Sequence, residues 1–473
     1  MAVETRQSRN GQVSPKGKEG IGPAVGPKAP NGQEEKKMNR TFYIVFLSLI
    51  IDLLAFTVIL PLLPSLLDHY GHKDKHGLYA FMTNSVSSFR QFVGAPDTPK
   101  WNSVLFGGVI GSLFSFLQFL STPFIGAASD VYGRRPLMLL CMVGVASSYV
   151  LWMLSDNFTL FVIARIIGGV SKGNVSLSTA IVTDVSTPEK RGKGMALVGV
   201  AFSIGFVFGP SIGAMFSFMD KDSERFYVLP AIFCIVLALA DILFLYVFLP
   251  ETLPEKIRSK TSSSALSKAW ELISPVSLFQ FASVKLNSQA DKTAIQSLGW
   301  VYFLYLYVYS GMEFTLPFLM YHRFDYNSMQ QGKMFFFIGT IMALVQGGYV
   351  RRVKRGKEIK VVTQGILVLI PSFVMMAFAK NIYLMYTALA LFSFASATVV
   401  PCLTTQVSVY GGSDQKGVVM GIFRSLGSLA RATSPVFAAT VYWCFGAETC
   451  YVAGGVFMAL PLLLTMKQRK EKL

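Results

Sequence analysis

Twelve apolar runs, each long enough to cross a bilayer as a helix, constrain this 473-residue chain more than any other feature. They lie near 41–67, 102–124, 136–154, 159–183, 194–218, 227–249, 299–320, 333–350, 360–379, 382–405, 417–443 and 447–466. A bilayer core offers the backbone no hydrogen-bonding solvent, so runs of this length close their amides internally as helices. The expected fold is an all-α membrane protein of twelve transmembrane helices. With 52% hydrophobic and 15% charged residues, the composition is that of a membrane protein.

A net charge of +17 invites a nucleic-acid partner. Its distribution points to topology instead. With the N-terminus inside, most Lys and Arg fall in the inner tails and loops, the positive-inside bias, which places both termini in the cytoplasm. The tract Arg351, Arg352, Lys354, Arg355, Lys357 becomes an inner loop facing anionic lipid. No soluble domain is left to carry nucleic acid. Residues 1–40 are polar and rich in Gly and Pro, which reads as a disordered cytoplasmic tail without a cleavable signal.

Residues 251–298 are the one long inner connection. They divide the chain into six-helix bundles at 41–250 and 299–466, with a short tail at 467–473. The bundles echo each other. Arg191-Gly192-Lys193-Gly194-Met195 answers Lys416-Gly417-Val418-Val419-Met420, and at the same offset Ser203 meets Ser428 and Pro210 meets Pro435. Phe56-Thr57 pairs more weakly with Phe314-Thr315. Parallel repeats place a binding site at their interface and alternate access by rocking.

The inner loop between spans 2 and 3 carries Gly126, Asp130, Gly133, Arg134 and Arg135 in the pattern G-x-x-x-D-x-x-G-R-R. Gly126 allows close helix packing, Asp130 can approach a helix N-terminus, and Gly133 can turn the chain. This loop resembles the signature of the major facilitator superfamily. Span 5 carries Gly205, Gly209, Pro210 and Gly213, similar to the antiporter motif G-x-x-x-G-P-x-x-G. Span 1 reads Asp52 through Pro61 and Pro64, and looks like the first span of the tetracycline exporters in the drug:proton antiporter group. Arg165-Ile166-Ile167-Gly168-Gly169 resembles the family's span 4 motif, and Asp184 to Gly192 and Pro250-Glu251-Thr252 match its usual inner loop and end of span 6. The resemblance implies a monomeric secondary transporter of small organic molecules, not an enzyme, with no cofactor and with protons and the lipid bilayer as partners. The chain departs from those exporters in lacking an acid in span 3 and in carrying Lys172 where they have a small residue. Both departures weigh against a metal-chelate cation as cargo.

Seven ionisable residues fall well inside spans: Asp52, Arg165, Lys172, Asp241, Glu313, Arg424 and Arg431. Each costs roughly 2.5–3.5 kcal/mol at a helix centre, so such residues pair or line a wet cavity. Asp52 is the leading proton carrier, with Glu313 as a second. The resemblance makes Arg165 the base beside Asp52; depth arithmetic along the helices makes it Lys172. Lys172, Arg424 and Arg431 are candidates for holding cargo, with Asn174 and Gln118 adding hydrogen bonds. Four bases against two acids favour organic anions, which guanidinium groups suit. Asp241 reads as structural. The expected function is proton-coupled exchange of small amphiphilic organic anions across the plasma membrane or an endosomal or lysosomal membrane. An uncoupled transporter, an ion symporter, or a ligand-binding protein without turnover are the alternatives. His69, His72 and His76 read as a solvated outer loop rather than a metal site. Asn157 heads a glycosylation sequon, and Cys444 and Cys450 flank the last outer turn, where they could bridge.

Overall fold

The computed structural model describes residues 32–74, 77–93, 102–186, 191–219, 225–253, 255, 273–282, 284, 288–353, 356–407, 410 and 416–471. Every regular element among them is a helix. In chain order they are α1 (Gly32–Thr57), α2 (Leu63–Lys73), α3 (Leu78–Val93), α4 (Asn102–Tyr132), α5 (Arg134–Met153), α6 (Phe158–Ser171), α7 (Asn174–Val185), α8 (Arg191–Met219) and α9 (Val228–Phe248). After the linker come α10 (Pro275–Gln280), α11 (Gln289–Phe324), α12 (Ser328–Gly348), α13 (Glu358–Phe378), α14 (Ile382–Val407), α15 (Lys416–Phe457) and α16 (Ala459–Glu471). Residues 1–31 of the tail, His76, residues 187–190 and 256–272, Lys354 and Arg355 lie outside the described residues.

Among the described residues, ten helical stretches are long and apolar enough to cross a membrane. One of them, Val419–Gln468, breaks at Gly446, whose φ of 86° only glycine adopts readily. α11 runs beside them, its apolar character diluted by Tyr302, Tyr305, Tyr307, Tyr309 and Glu313. On α9 the side chains of Ile232, Val236, Leu239 and Leu243 are exposed at helical spacing. An apolar stripe of this kind faces lipid rather than water. The chain is an integral multi-pass membrane protein.

Several boundaries differ from the expected ones. α1 begins at Gly32, inside the expected tail, because Glu34, Glu35, Lys36 and Lys37 are good helix formers that extend the span into water. α11 begins at Gln289, ten residues early, where Ser288 caps it by accepting from the Ala290 amide at 3.2 Å. His69 and His72 sit on α2 rather than in a loop, and the His69 ring lies edge-on to Tyr70 and Tyr227. The burial of Tyr70, Leu66 and Leu67 beneath them outweighs the helix cost of Gly71. α3, outside the expected spans, docks through Tyr79 onto Phe106 and Phe158. Cys444 and Cys450 are both free thiols, the Cys450 Sγ donating to the Ala438 carbonyl at 3.4 Å. Asn157 spends its side chain capping α6.

The helix ends gather at two faces. At the lower face Arg134 meets Asp184 and Glu251. At the upper face Tyr70 and Tyr227 both donate to the Ser155 carbonyl, and Arg323 bonds Glu448. The two halves touch mainly through α4 against α15 and α8 against α12. Pro210 on α8 and Pro435 on α15 occupy matching places there. The Pro210 carbonyl abuts Gly332 on α12, and the Pro435 carbonyl abuts Gly108 on α4.

Candidate functional site

Span 4 is broken at its centre. α6 ends at Ser171, Lys172 leaves helical geometry at φ −78° and ψ 39°, and α7 starts at Asn174. The break aims both side chains at Asp52 on α1. Lys172 Nζ donates to both carboxylate oxygens, at 2.6 and 2.7 Å, and Asn174 Nδ2 donates to Oδ2 at 2.7 Å. Gln118 holds the break open by donating to the Lys172 carbonyl, which the helix no longer uses, at 3.3 Å. Asp52, Lys172 and Asn174 are only 1%, 3% and 1% exposed, so the pair is sealed. Buried charges survive at this depth only when paired and hydrogen-bonded like this. Lys172 and Asn174, expected at the cargo, are thus committed to Asp52 in this structure. A broken helix presenting polar groups at mid-membrane was missed by sequence reasoning, although Gly168, Gly169 and Gly173 flank the break.

Arg165 does not pair with Asp52, the partner the resemblance implied. Its guanidinium lies over the Phe114 ring at 4.2 Å, and no acid bonds it among the described residues. Lys172 Nζ in turn lies 4.8 Å from the Phe56 ring, and Phe56 and Phe114 are 5.5 Å apart. Two aromatic rings therefore separate the Asp52 pair from Arg165. Asp241, fully buried on α9, accepts from Ser48 at 3.0 Å and lies in the field of Asp52 and Lys172. Its Oδ1 has no partner.

The span 5 motif positions α1. A Cβ at Gly205, Gly209 or Gly213 would collide with Leu53, Thr57 or Val58. Thr57 adds a hydrogen bond from its hydroxyl to the Gly205 carbonyl at 2.9 Å. Small residues at every fourth position let α8 lie against the turn that carries Asp52. Pro210 follows within the same helix.

The second half supplies a separate charged group. Arg424 on α15 crosses the interface to bond the Thr179 hydroxyl on α7. Arg431, two turns on, is exposed and acts electrostatically on Glu313 and Tyr302. The Tyr309 hydroxyl lies 3.4 Å from the Glu313 carboxylate and 2.8 Å from the Ser396 hydroxyl, and its single proton serves one of them at a time. Among the described residues no hydrogen bond joins Glu313 to the Asp52 pair.

At the lower face, Arg134 bonds Asp130 at 2.7 Å, Asp184 at 2.9 Å and Ser129 at 2.5 Å. Gly133 turns the chain with φ 103°. Two expectations fail here. The group at the N-terminus of α5 is Glu251, not Asp130: it accepts from the amides of Arg134 and Arg135 at 3.0 and 3.2 Å. A carboxylate at that position satisfies orphan donors and the helix dipole together. Half-buried Gly126 has open space on its Cβ side, where an added Cβ would meet no atom within 4 Å among the described residues, so the close helix packing it allows is not made there. Arg135 donates to the Tyr246 carbonyl at 2.6 Å.

A two-half helical membrane protein with a buried ion pair at a broken helix and a charged loop on one face has the form of a secondary transporter. The family model described as Major Facilitator Superfamily matches residues 45–435, and the chain belongs to that family. "Major facilitator superfamily domain-containing protein 10" of Bos taurus is 46% identical over 446 residues, covering 93% of this chain and 96% of that protein. "Tetracycline resistance protein, class E" of Escherichia coli is 25% identical over 415 residues, 86% of this chain and 88% of that one. A crystal structure of the human organic anion transporter MFSD10 (TETRAN) superposes with a TM-score of 0.77 at 46% identity, over 90% of this chain and 99% of that chain.

Proposed function

We propose that the chain is a proton-coupled antiporter that exchanges protons for small amphiphilic organic anions by alternating access. The observation that carries this reading is the sealed Asp52–Lys172 pair at the break between α6 and α7. Protonating Asp52 removes its charge and loosens its hold on Lys172, and with it the geometry of the break. Gly205, Gly209, Pro210 and Gly213 transmit that change, because α8 lies against the same turn of α1. Arg424 and Arg431 attract the anion, and Glu313 is a second proton site beside Arg431. The Asp130–Arg134 loop, braced by Asp184 and Glu251, is the inner latch.

The ten apolar stretches, the second pass after Gly446 and α11 together make twelve crossings in two repeats. The positive-inside bias puts the lower face and both termini in the cytoplasm. The cargo class is supported by the human organic anion transporter at 46% identity, and proton exchange by the buried acid Asp52 in a first span that resembles that of the drug:proton antiporter group. The protein acts as a monomer in the plasma membrane or an endosomal or lysosomal membrane.

The test uses proteoliposomes with an imposed pH gradient and an internal pH dye. Organic anions, cations and zwitterions are added in turn. Cargo-dependent proton movement restricted to anions is the expected result. Anion flux without proton movement would leave an uncoupled transporter, and binding without flux a ligand-binding protein.

A further inference from the structure

A narrow cleft in the first half is lined by Ala55, Phe56 and Ile59 of α1, Ser148, Tyr149 and Trp152 of α5, and Ala164 and Arg165 of α6. Three of these residues are hydrogen-bond donors without an acceptor among the described residues. Arg165 contacts Phe114 only through its ring face, which uses none of its N–H groups. The indole Nε1 of Trp152 is buried and has no partner, although the side chain is only 3% exposed. The Tyr149 hydroxyl bonds no protein group and lies in the field of Arg165. Ser148 is already spent on the Val145 carbonyl at 2.7 Å. No acid lines the cleft. A buried donor left without an acceptor is costly, and two neutral donors beside one cation are a poor way to build a core.

We infer that Arg165, Tyr149 and Trp152 form an anion subsite that takes the carboxylate or sulfonate headgroup of an organic cargo. This rests on the organic-anion reading above. The guanidinium supplies charge and a planar fork, and the phenol and indole supply neutral donors. Phe56, Ile59 and Ala55 form an apolar wall. In this state the cleft has room for about one water, so a headgroup enters only as the Phe56 and Ile59 side chains give way, and the apolar body of the cargo lies outside it. Phe56 is shared: one side walls the cleft and the Lys172 ammonium lies over its ring. An anion at Arg165 therefore sits across the Phe56 and Phe114 rings from the Asp52 pair, where its charge and that of Asp52 repel. Occupancy of the cleft and ionisation of Asp52 oppose each other, which is what exchange requires.

The test is titration calorimetry of the full chain in lipid nanodiscs with 4-phenylbutyrate and its neutral amide. The wild type is expected to bind the carboxylate and not the amide. Tyr149→Phe, which keeps shape and removes one donor, and Trp152→Phe, which removes the indole donor along with part of the ring, weaken carboxylate binding by about tenfold apiece, with Tyr149→Phe the decisive variant. Arg165→Gln abolishes it. If the wild type binds the carboxylate and both phenylalanine variants match it, the subsite is wrong and the transport reading stands. If chloride alone competes and follows the same variant pattern, the cleft is a halide site and the assignment is overturned. If the wild type binds no organic anion at all, the subsite and the cargo class fall together.

Discussion

The two ends of the interface between the halves are built alike and behave oppositely. At the upper end, α4 and α15 approach so closely that a Cβ on Gly108 would lie 2.3 Å from the Ala439 Cβ, and α8 and α12 so closely that one on Gly332 would lie 2.3 Å from Ala214. Phe318 fills the space over Gly107, Tyr321 bonds Asp68 at 2.6 Å, and Trp443 bonds Asn102 at 3.1 Å. At the lower end the same four helices carry Gly126, Gly421, Gly199 and Gly347, and none of these would bring a Cβ within 4 Å of anything. The upper end is closely packed, whereas the lower end is joined by polar bonds, Ser203 to Gln346 at 2.7 Å and Arg424 to Thr179, with space left beside these four glycines among the described residues. Small residues that touch nothing in a well-packed protein need a reason. The account offered here is that they are the contact surface of the opposite state, in which the lower ends close and the upper ends part.

That comparison can be broken most severely with paired substitutions. Gly108→Leu forces a side chain into backbone and Ala439. It should lower stability by about 1–3 kcal/mol, seen as a reduced melting temperature, and remove transport. Gly126→Leu should melt within about 0.5 kcal/mol of the wild type, because the space beside it is empty here. It should nevertheless slow transport severalfold by obstructing closure at the lower end. Equal melting losses in the two variants would mean that the ends do not differ. A smaller effect sharpens the same contrast. Tyr321→Phe removes one bond to Asp68 from the closed end, a loss of about 1 kcal/mol. It should raise labelling of a cysteine placed at Ser65, one turn from Asp68 on α2, by a few-fold when read with a membrane-impermeant maleimide. Unchanged labelling would place the closing force elsewhere.

Much of this was legible in the sequence because the bilayer simplifies the problem. The long described helices fall on the expected apolar runs, since each run must close its own hydrogen bonds, while α3 and α10 lie outside them. Asp52 stood out as an acid in apolar surroundings, and its depth already matched that of Lys172. Arg165 stood in the better known motif, which obscured that match. The break at Lys172 was hidden, because Gly168 to Asn174 lies within a run that hydropathy reads as continuous. Glu251 at the N-terminus of α5 was also hidden as a partner, because 117 residues separate it from Arg134. Gly126 was misread for a different reason: a glycine's spacing shows that it can admit a neighbour, not in which state the neighbour comes.

The central claim is that Asp52 couples proton movement to cargo, and comparison of two fluxes in one preparation tests it most directly. Wild type and Asp52→Asn are reconstituted side by side, and anion uptake driven by a pH gradient is measured against anion–anion exchange at equal pH. The account predicts that Asp52→Asn loses the gradient-driven uptake and keeps the exchange. Uptake that still follows the pH gradient in Asp52→Asn would contradict it.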